Sequence, residues 1–131
     1  YGAMTDKYPN MLLVGGNQQT AMAVNAVHLL DEQAKHVAYI IRETRARGAQ
    51  TVEAKPEDID AFVEGIFNSP NNKAQLEFFK ECTPGYYNGE GKATRTDELF
   101  LGGRYGDGPM AFFELLQSWR KDGAMKGVEL R

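Results

Sequence analysis

Several features by which large classes of proteins are recognised are missing from this sequence. Cys82 is the only cysteine among 131 residues, so an internal disulfide is excluded. No apolar run approaches the roughly 20 residues that a membrane-spanning helix needs. Nothing resembles a secretory signal, and together with the lone thiol this favours a cytoplasmic protein over a periplasmic one, with no membrane partner.

Neither sign of charge dominates the chain. Fifteen Lys and Arg stand against eighteen Asp and Glu, a formal net charge of -3, and the basic residues are not gathered into a stripe. Because a surface that follows a phosphate backbone is basic, nucleic acid is not an expected partner. With 42% hydrophobic residues, a chain of this length is expected to bury roughly two thirds of its unfolded surface around one core.

Catalytic and metal-binding arrangements are also scarce. His28 and His36 lie two helical turns apart, without a cysteine or a second carboxylate cluster at metal-ligand spacing, so no metal site is predicted. Cys82 has no histidine close in sequence, which favours an inert buried thiol over a nucleophile. A hydrolase is the least favoured class for the same reason, and no catalytic residue is predicted.

The first half of the chain predicts one strand and one long helix. Residues 11–14, Met-Leu-Leu-Val, form an apolar run typical of a strand that is covered on both faces. From Thr20 the apolar residues recur at steps of three and four, which indicates one face of a helix that Gly48 ends. The predicted buried face consists of Ala23, Val27, Leu30, Ala34, Val37 and Ile41. A solvated face is predicted for Asp31, Glu32, Lys35 and His36.

A Gly-rich turn joins this strand to this helix at residues 15–20. Backbone N–H groups and the positive end of the helix dipole would meet there, ready for an electron-rich ligand. The turn has neither the spaced glycines of the dinucleotide fingerprint nor the Lys of a phosphate-binding loop. The backbone of this turn could therefore bind a ligand, but the local sequence does not identify it.

The second half predicts further helices and short strands. A strand is expected at residues 51–53 and a helix from Pro56, with acidic residues in its first turn. Residues 68–70 break that helix, and Asn71 or Asn72 is expected to cap the next one.

The stretch at residues 83–92 is dense in turn formers and contains two adjacent tyrosines, Tyr86 and Tyr87. Such a composition predicts a loop folded over other structure. The tyrosines are either part of a ligand tunnel or surface packing residues.

Three elements complete the predicted fold. They are a strand at residues 98–101, a helix that follows Pro109 and ends at Gly123, and a last strand with Val128 and Leu130. The whole predicts a mixed α+β fold, mostly helical, with four principal helices and a few short strands.

Two stretches resemble a known family. The sequence Tyr-Pro-Asn-Met-Leu-Leu-Val-Gly-Gly at residues 8–16, followed by a helix with Leu-Asp-Glu-Gln-Ala-Lys-His at residues 30–36, resembles the closing segment of the FAD-binding domain in Baeyer–Villiger monooxygenases. The sequence Phe-Leu-Gly-Gly at residues 100–103, together with residues 122–130, resembles the end of that family. The resemblance implies the last strand and helix of the FAD-binding α/β domain at residues 1–48, and a C-terminal helical extension at residues 49–131.

The resemblance also implies which residues lie near a flavin. Contacts with the FAD ring would come from Gly16, Asn17, Gln18, Gln19, Thr20 and Ala21. The substrate side would be bordered by Met22, Tyr86 and Tyr87. The family commonly has Gly-Pro at the turn where this chain has Gly16-Asn17, so the expected contribution is that of backbone N–H groups, which stabilise negative charge on the reduced ring.

By the same resemblance, the intact enzyme would use NADPH and FAD to convert a ketone into an ester or lactone. This chain has neither the Gly-rich FAD fingerprint nor the one for NADPH, nor the arginine that the family places beside the flavin. It opens Tyr-Gly-Ala-Met, which reads either as the middle of a longer chain or as a start at Gly2 or Met4. We expect an inactive fragment that does not bind the cofactors tightly and needs the remainder of its own polypeptide.

Two further expectations accompany this interpretation. An orphaned strand invites pairing, which predicts self-association of the fragment through residues 11–14. The alternative function is a free-standing α+β binding or interaction module without catalysis.

Overall fold

The structure is a computed structural model, and it describes residues 1–15, 25–85, 90 and 104–131. Within that part of the chain there are four helices and a two-stranded antiparallel sheet, so the predicted mostly helical α+β fold is confirmed. The elements in chain order are α1 (Ala26–Ala46), β1 (Val52–Ala54), α2 (Pro56–Asn68), α3 (Pro70–Glu81), α4 (Gly108–Asp122) and β2 (Val128–Leu130). No helix among the described residues is long and apolar enough to cross a membrane.

The small sheet joins the middle of the chain to its C-terminal end. Val52 lies opposite Leu130, and Glu53 lies opposite Glu129. Like charges directly opposite each other destabilise a sheet, but Arg131 lies 2.8 Å from Glu129 and 3.7 Å from Glu53 and offsets the repulsion. Both strands fall where the sequence predicted them.

The buried strand predicted at residues 11–14 is not formed within the described part of the chain. Met11 is 44% exposed and Val14 is 48% exposed, and the only pairing there is a single antiparallel bridge between Met4 and Leu12. The described part of the chain contains nothing that covers both faces of such a strand. The segment is attached instead through Asn10, whose backbone N–H donates to the Val52 carbonyl (2.9 Å) and whose side chain accepts from the Val52 N–H (3.0 Å).

Helix α1 forms as predicted, but the face that it buries is not the predicted one. Val27, Leu30 and Ile41 are 74%, 43% and 45% exposed. The buried residues are Glu32, Gln33, His36, Ile40 and Thr44. Periodicity identifies an apolar face but does not say what covers it, and hydrogen bonds allow the polar face to be buried here.

The helix ends are set by local chemistry. Pro56 opens α2 with Glu57 and Asp58 in its first turn, as predicted. Gly123 adopts φ 71° and ends α4, also as predicted, because glycine enters the left-handed region at little cost. Asn72 does not cap α3: it lies inside the helix, 1% exposed.

The core has two parts, both built on α4. One contains Ile40, Val52, Trp119 and Met125, and the other contains Phe112, Phe113 and Leu116. Helix α4 thus contributes Phe112, Phe113, Leu116 and Trp119 to the core. Trp119 also donates its indole N–H to the Lys126 carbonyl (2.9 Å), which fastens the chain between α4 and β2. The predicted strand at residues 98–101 lies outside the described residues.

Candidate functional site

The predicted site residues lie in two segments whose ends the structure describes. Gly16, Asn17, Gln18, Gln19, Thr20, Ala21 and Met22 lie outside the described residues, and so do Tyr86 and Tyr87. The described residues on either side of these segments show how the segments are attached to the rest of the chain.

The first segment is held on its N-terminal side by Gln33 of α1. The Gly15 N–H donates to Gln33 Oε1, although 18 residues separate them, and Gln33 is 2% exposed. Gly15 adopts φ 74°, and a Cβ built there would lie 3.4 Å from Leu30 Cδ2. A residue other than glycine would be strained in this conformation. Gly15 is therefore fixed against the first half of α1.

On its C-terminal side the same segment is held by the N-cap of α1. Asn25 Oδ1 accepts from the backbone N–H of Val27 (2.9 Å) and of His28 (3.4 Å). Helix α1 begins at Ala26, because Asn25 is non-helical and its side chain satisfies the first free N–H groups. The start predicted at Thr20 lies outside the described residues. The positive end of the α1 dipole lies beside Asn25.

The second segment leaves the described structure after Gly85. The Glu90 N–H donates to the Gly85 carbonyl (2.9 Å), so these two described residues lie close together. Glu90 adopts φ 57°, a left-handed conformation typical of a loop. Most of the loop predicted at residues 83–92 lies outside the described residues, so the loop and the role of its tyrosines stay predictions.

Glu32 is not on a solvated face, contrary to the sequence-based prediction. It is 5% exposed, and its Oε2 accepts from Arg120 of α4 (2.9 Å) while Oε1 accepts from Lys35 (3.1 Å). Burial alone raises the pKa of this carboxyl, but hydrogen bonds from Arg120, Lys35 and Gln117 outweigh it and lower the pKa to about 2. Glu32 is therefore an anchor between α1 and α4, and at neutral pH it has no proton to give.

His36 is also buried, again contrary to prediction. It is 3% exposed and its ring centroid lies 4.9 Å from that of Trp119. Burial lowers the pKa of His36 to about 4, and the positive charge of Arg120 adds to the effect. The imidazole is neutral at physiological pH, and its Nδ1 has no hydrogen-bond partner among the described residues.

His36 borders a cavity of about 140 Å³ whose wall also includes Asp58, Phe62 and Trp119. A neutral histidine can accept a proton, but a nucleophile for it to activate is needed for acyl transfer. Among the described residues, no Ser, Thr or Cys lines the cavity. In residues 1–15, 25–85, 90 and 104–131 no three His, Cys, Asp or Glu side chains are grouped to hold a metal ion.

Three of these residues escaped the sequence analysis. Gln33, Glu32 and His36 are polar residues on a helix, and polar residues usually face water. The resemblance did single out a Glu-Gln pair on this helix, but spacing alone does not reveal that each residue has a partner on another element.

The comparisons with known proteins converge on one group. No family model matches the chain. It is 34% identical over its full length to neopentalenolactone D synthase of Streptomyces avermitilis, and 37% identical over 93% of its length to a Baeyer–Villiger monooxygenase of Streptomyces coelicolor. It is also 30% identical over 99% of its length to an FAD-binding monooxygenase of Emericella nidulans. The chain spans only 21%, 19% and 20% of these three relatives.

Two solved structures share the fold. A polycyclic ketone monooxygenase from Thermothelomyces thermophila has a TM-score of 0.76 and 26% identity, with 99% of this chain and 20% of that one covered. An oxidised steroid monooxygenase bound to NADP has a TM-score of 0.70 at 19% identity, with 98% and 22% covered. The second likeness shows the fold alone.

Proposed function

We propose that this chain, a segment about one fifth as long as the Baeyer–Villiger-type flavin monooxygenases to which it is related, forms the C-terminal part of an FAD- and NADPH-dependent enzyme that oxidises ketones to esters or lactones. The observation that carries the proposal is the match over the whole chain to relatives of this kind at 34% and 37% identity. The name of the Emericella nidulans relative mentions FAD and supports that choice of cofactor, while NADPH is what the family resemblance implies.

Within that enzyme, residues 1–48 would close the FAD-binding domain and residues 49–131 would form the C-terminal extension. The cofactor supplies the oxygen chemistry, and the chain supplies orientation and electrostatics. Gly16, Asn17, Gln18, Gln19, Thr20 and Ala21 would contribute backbone N–H groups beside the flavin. Met22, Tyr86 and Tyr87 would border the ketone.

The described flanks fit this role. Gly15 is fixed to Gln33 and Asn25 is fixed to the start of α1, so both ends of the intervening segment are held on one helix. A segment that is fixed at both ends loses less conformational entropy on binding a rigid ring than an unfixed segment does. The left-handed backbone at Gly15 also lets the chain turn sharply at the point where the flavin contacts would begin.

The rest of the polypeptide is a required partner in this proposal. The two Gly-rich fingerprints for FAD and NADPH are not in this sequence, so the isolated segment would neither turn over nor bind either cofactor tightly. A cytoplasmic location, where NADPH is available, belongs to the same proposal. So does self-association of the isolated segment through residues 11–14.

The test is an assay on the full-length gene product. The protein would be purified with FAD and supplied with NADPH, a panel of cyclic and linear ketones, and isotopically labelled dioxygen. We expect an ester or lactone that contains one labelled oxygen atom, formed with consumption of one NADPH. If no ketone were converted and no sulfide or amine were oxidised, the proposal would be wrong.

A further inference from the structure

Helix α1 has an apolar face that nothing in the described structure covers. Val27, Leu30 and Ile41 are 74%, 43% and 45% exposed, and the two alanines between them on this face, Ala34 and Ala38, are exposed as well. We refer to Val27, Leu30, Ala34, Ala38 and Ile41 as the outer apolar face. Their spacing of three and four residues places them along one side of the helix over about 21 Å.

This face is sharply separated from the other sides of the helix. The inner side faces α4 and holds Glu32, which pairs with Arg120. A third side carries Asp31 and Lys35, which form an ion pair of 2.6 Å in solvent. The outer apolar face contains no charged residue at all.

The apolar surface continues beyond the helix. Leu30 lies within 3.4 Å of a Cβ built at Gly15, so the end of the N-terminal segment lies beside the outer apolar face. In that segment Val14 and Met11 are 48% and 44% exposed. Single exposed hydrophobic residues are ordinary, but a continuous apolar strip over several turns of a helix marks an interaction surface.

We infer that the outer apolar face is covered by the part of the same polypeptide that lies outside this chain. The relatives are about five times as long as this segment, which leaves roughly four fifths of the enzyme to provide a cover. The face adjoins the turn at Gly15, which leads into the proposed flavin contacts, so the cover is the FAD-binding part of the chain. The inference rests on the longer polypeptide of the proposed function but not on its oxygenase activity.

A second copy of the chain is the competing occupant. The absence of charge on the face suits permanent burial, because a transient interface is about as polar as the rest of a protein surface. A segment of the same polypeptide also binds this face more favourably than a second copy does, because the covalent link gives it a high effective concentration. Protection of the face is therefore expected to be independent of protein concentration.

The experiment uses full-length protein with FAD bound and two single substitutions on the same helix. Ala34→Cys places a thiol at the centre of the outer apolar face, and Ala46→Cys places one at an exposed position outside it. Each protein reacts with a water-soluble maleimide, and mass spectrometry of the peptide that contains the new cysteine gives the rate. Each rate is divided by that of the same peptide in denaturant.

We expect Ala34→Cys to react slower than Ala46→Cys by about tenfold or more, at every protein concentration. A smaller difference overturns the inference. Protection that disappears on dilution also overturns it, since it assigns the face to a second copy.

A photo-crosslinking residue at position 34 gives an independent measurement. Cross-links to peptides of the same polypeptide outside the 131 residues are expected, whereas cross-links only between copies contradict the inference. Neither measurement requires turnover. A protein with a protected face that oxidises no ketone would disprove the proposed function and leave this inference intact.

Discussion

Glu32 of α1 and Arg120 of α4 form an ion pair, 2.9 Å from Oε2 to the guanidinium, in which the two side chains are only 7% and 16% exposed. It links the helix that follows the proposed flavin segment to the last helix of the chain. Because two charges out of water are stable only as a pair, each residue depends on the other.

Glu32→Gln is expected to destabilise the 131-residue chain by about 3 kcal/mol, since it leaves Arg120 largely buried without its counter-charge. Urea unfolding followed by circular dichroism measures the change. Asp31→Asn is the matched control. Asp31 is half exposed and bonds only to Lys35 among the described residues, so its loss is expected to cost about 0.5 kcal/mol or less. Equal costs for the two variants would contradict the assignment.

The same ion pair predicts that the free energy of unfolding falls at acidic pH. The pKa of Glu32 is about 2 when folded and 4.5 ordinarily, so the unfolded chain takes up the proton first as the pH falls. The stabilisation is complete above pH 4.5 and is lost progressively toward pH 2, which amounts to about 2 kcal/mol between pH 5.5 and pH 3. Urea titrations at these two pH values are expected to show this loss in the parent chain. Glu32→Gln should lack that part of the loss, and an unchanged pH dependence would exclude the mechanism.

Helix α1 shows what a sequence can and cannot predict about a fold. Its existence, its end near Gly48 and the apolar character of Val27, Leu30 and Ile41 follow from periodicity. The direction of burial does not, since it depends on which elements are present to pack against the helix. In this chain α4 covers the side with Glu32 and His36, and no described element covers the outer apolar face.

His36 predicts a second and separate pH dependence. Its pKa is about 4 in the folded chain against an ordinary 6.5, so folding is favoured by the neutral ring. The stabilisation is complete above pH 6.5 and is lost as the pH falls toward 4, by about 2 kcal/mol between pH 7 and pH 5.

Unfolding of the parent chain and of His36→Gln at these two pH values tests this. The variant is expected to lose less stability than the parent chain over the interval, while the control His28→Gln, at an exposed position, should behave like the parent chain. If His36→Gln lost as much as the parent chain, the dependence would belong to another group.

Asn72 is a buried donor that joins two elements. Its Nδ2 donates to the Ile66 carbonyl at the end of α2 (2.8 Å) and to the Arg104 carbonyl before α4 (2.9 Å). Asn72→Asp would replace this donor with a negative oxygen facing two carbonyls, and we expect a loss of about 3 kcal/mol.

The neighbouring Asn71→Asp provides the control for that substitution. Asn71 makes one exposed hydrogen bond, to the Gly106 carbonyl (2.8 Å), so the same chemical change is expected to cost about 1 kcal/mol. Thermal unfolding of both variants gives the comparison. Similar losses would show that burial at position 72 is not what makes the donor important.

The candidate site was predictable to a different degree. The Gly-Gly turn and the Asp-Glu-Gln helix are local patterns, and they carried the resemblance to a flavin enzyme. The contact between Gln33 and Gly15 joins residues 18 positions apart, and no propensity or spacing rule encodes it. The predicted contacts of Gly16, Thr20, Tyr86 and their neighbours stay predictions, because these residues lie outside the described part of the chain.

Gln33 is expected to act as a positioning residue for the flavin segment. Gln33→Met keeps the length of the side chain but removes the oxygen that accepts from Gly15, so the turn loses one hydrogen bond, worth about 1 kcal/mol. In the full-length protein this should weaken FAD binding about fivefold, because the free segment must then be ordered by the cofactor.

Titration of the apoprotein with FAD, followed by flavin fluorescence, measures the effect of Gln33→Met. The control is Gln50→Met, at an exposed position where the side chain makes no hydrogen bond within the described structure. Urea unfolding of both variants separates a general loss of stability from a loss of cofactor affinity. If Gln33→Met bound FAD as tightly as Gln50→Met, the anchor at Gly15 would be structural only, and the orientation of the flavin segment would have to come from Asn25.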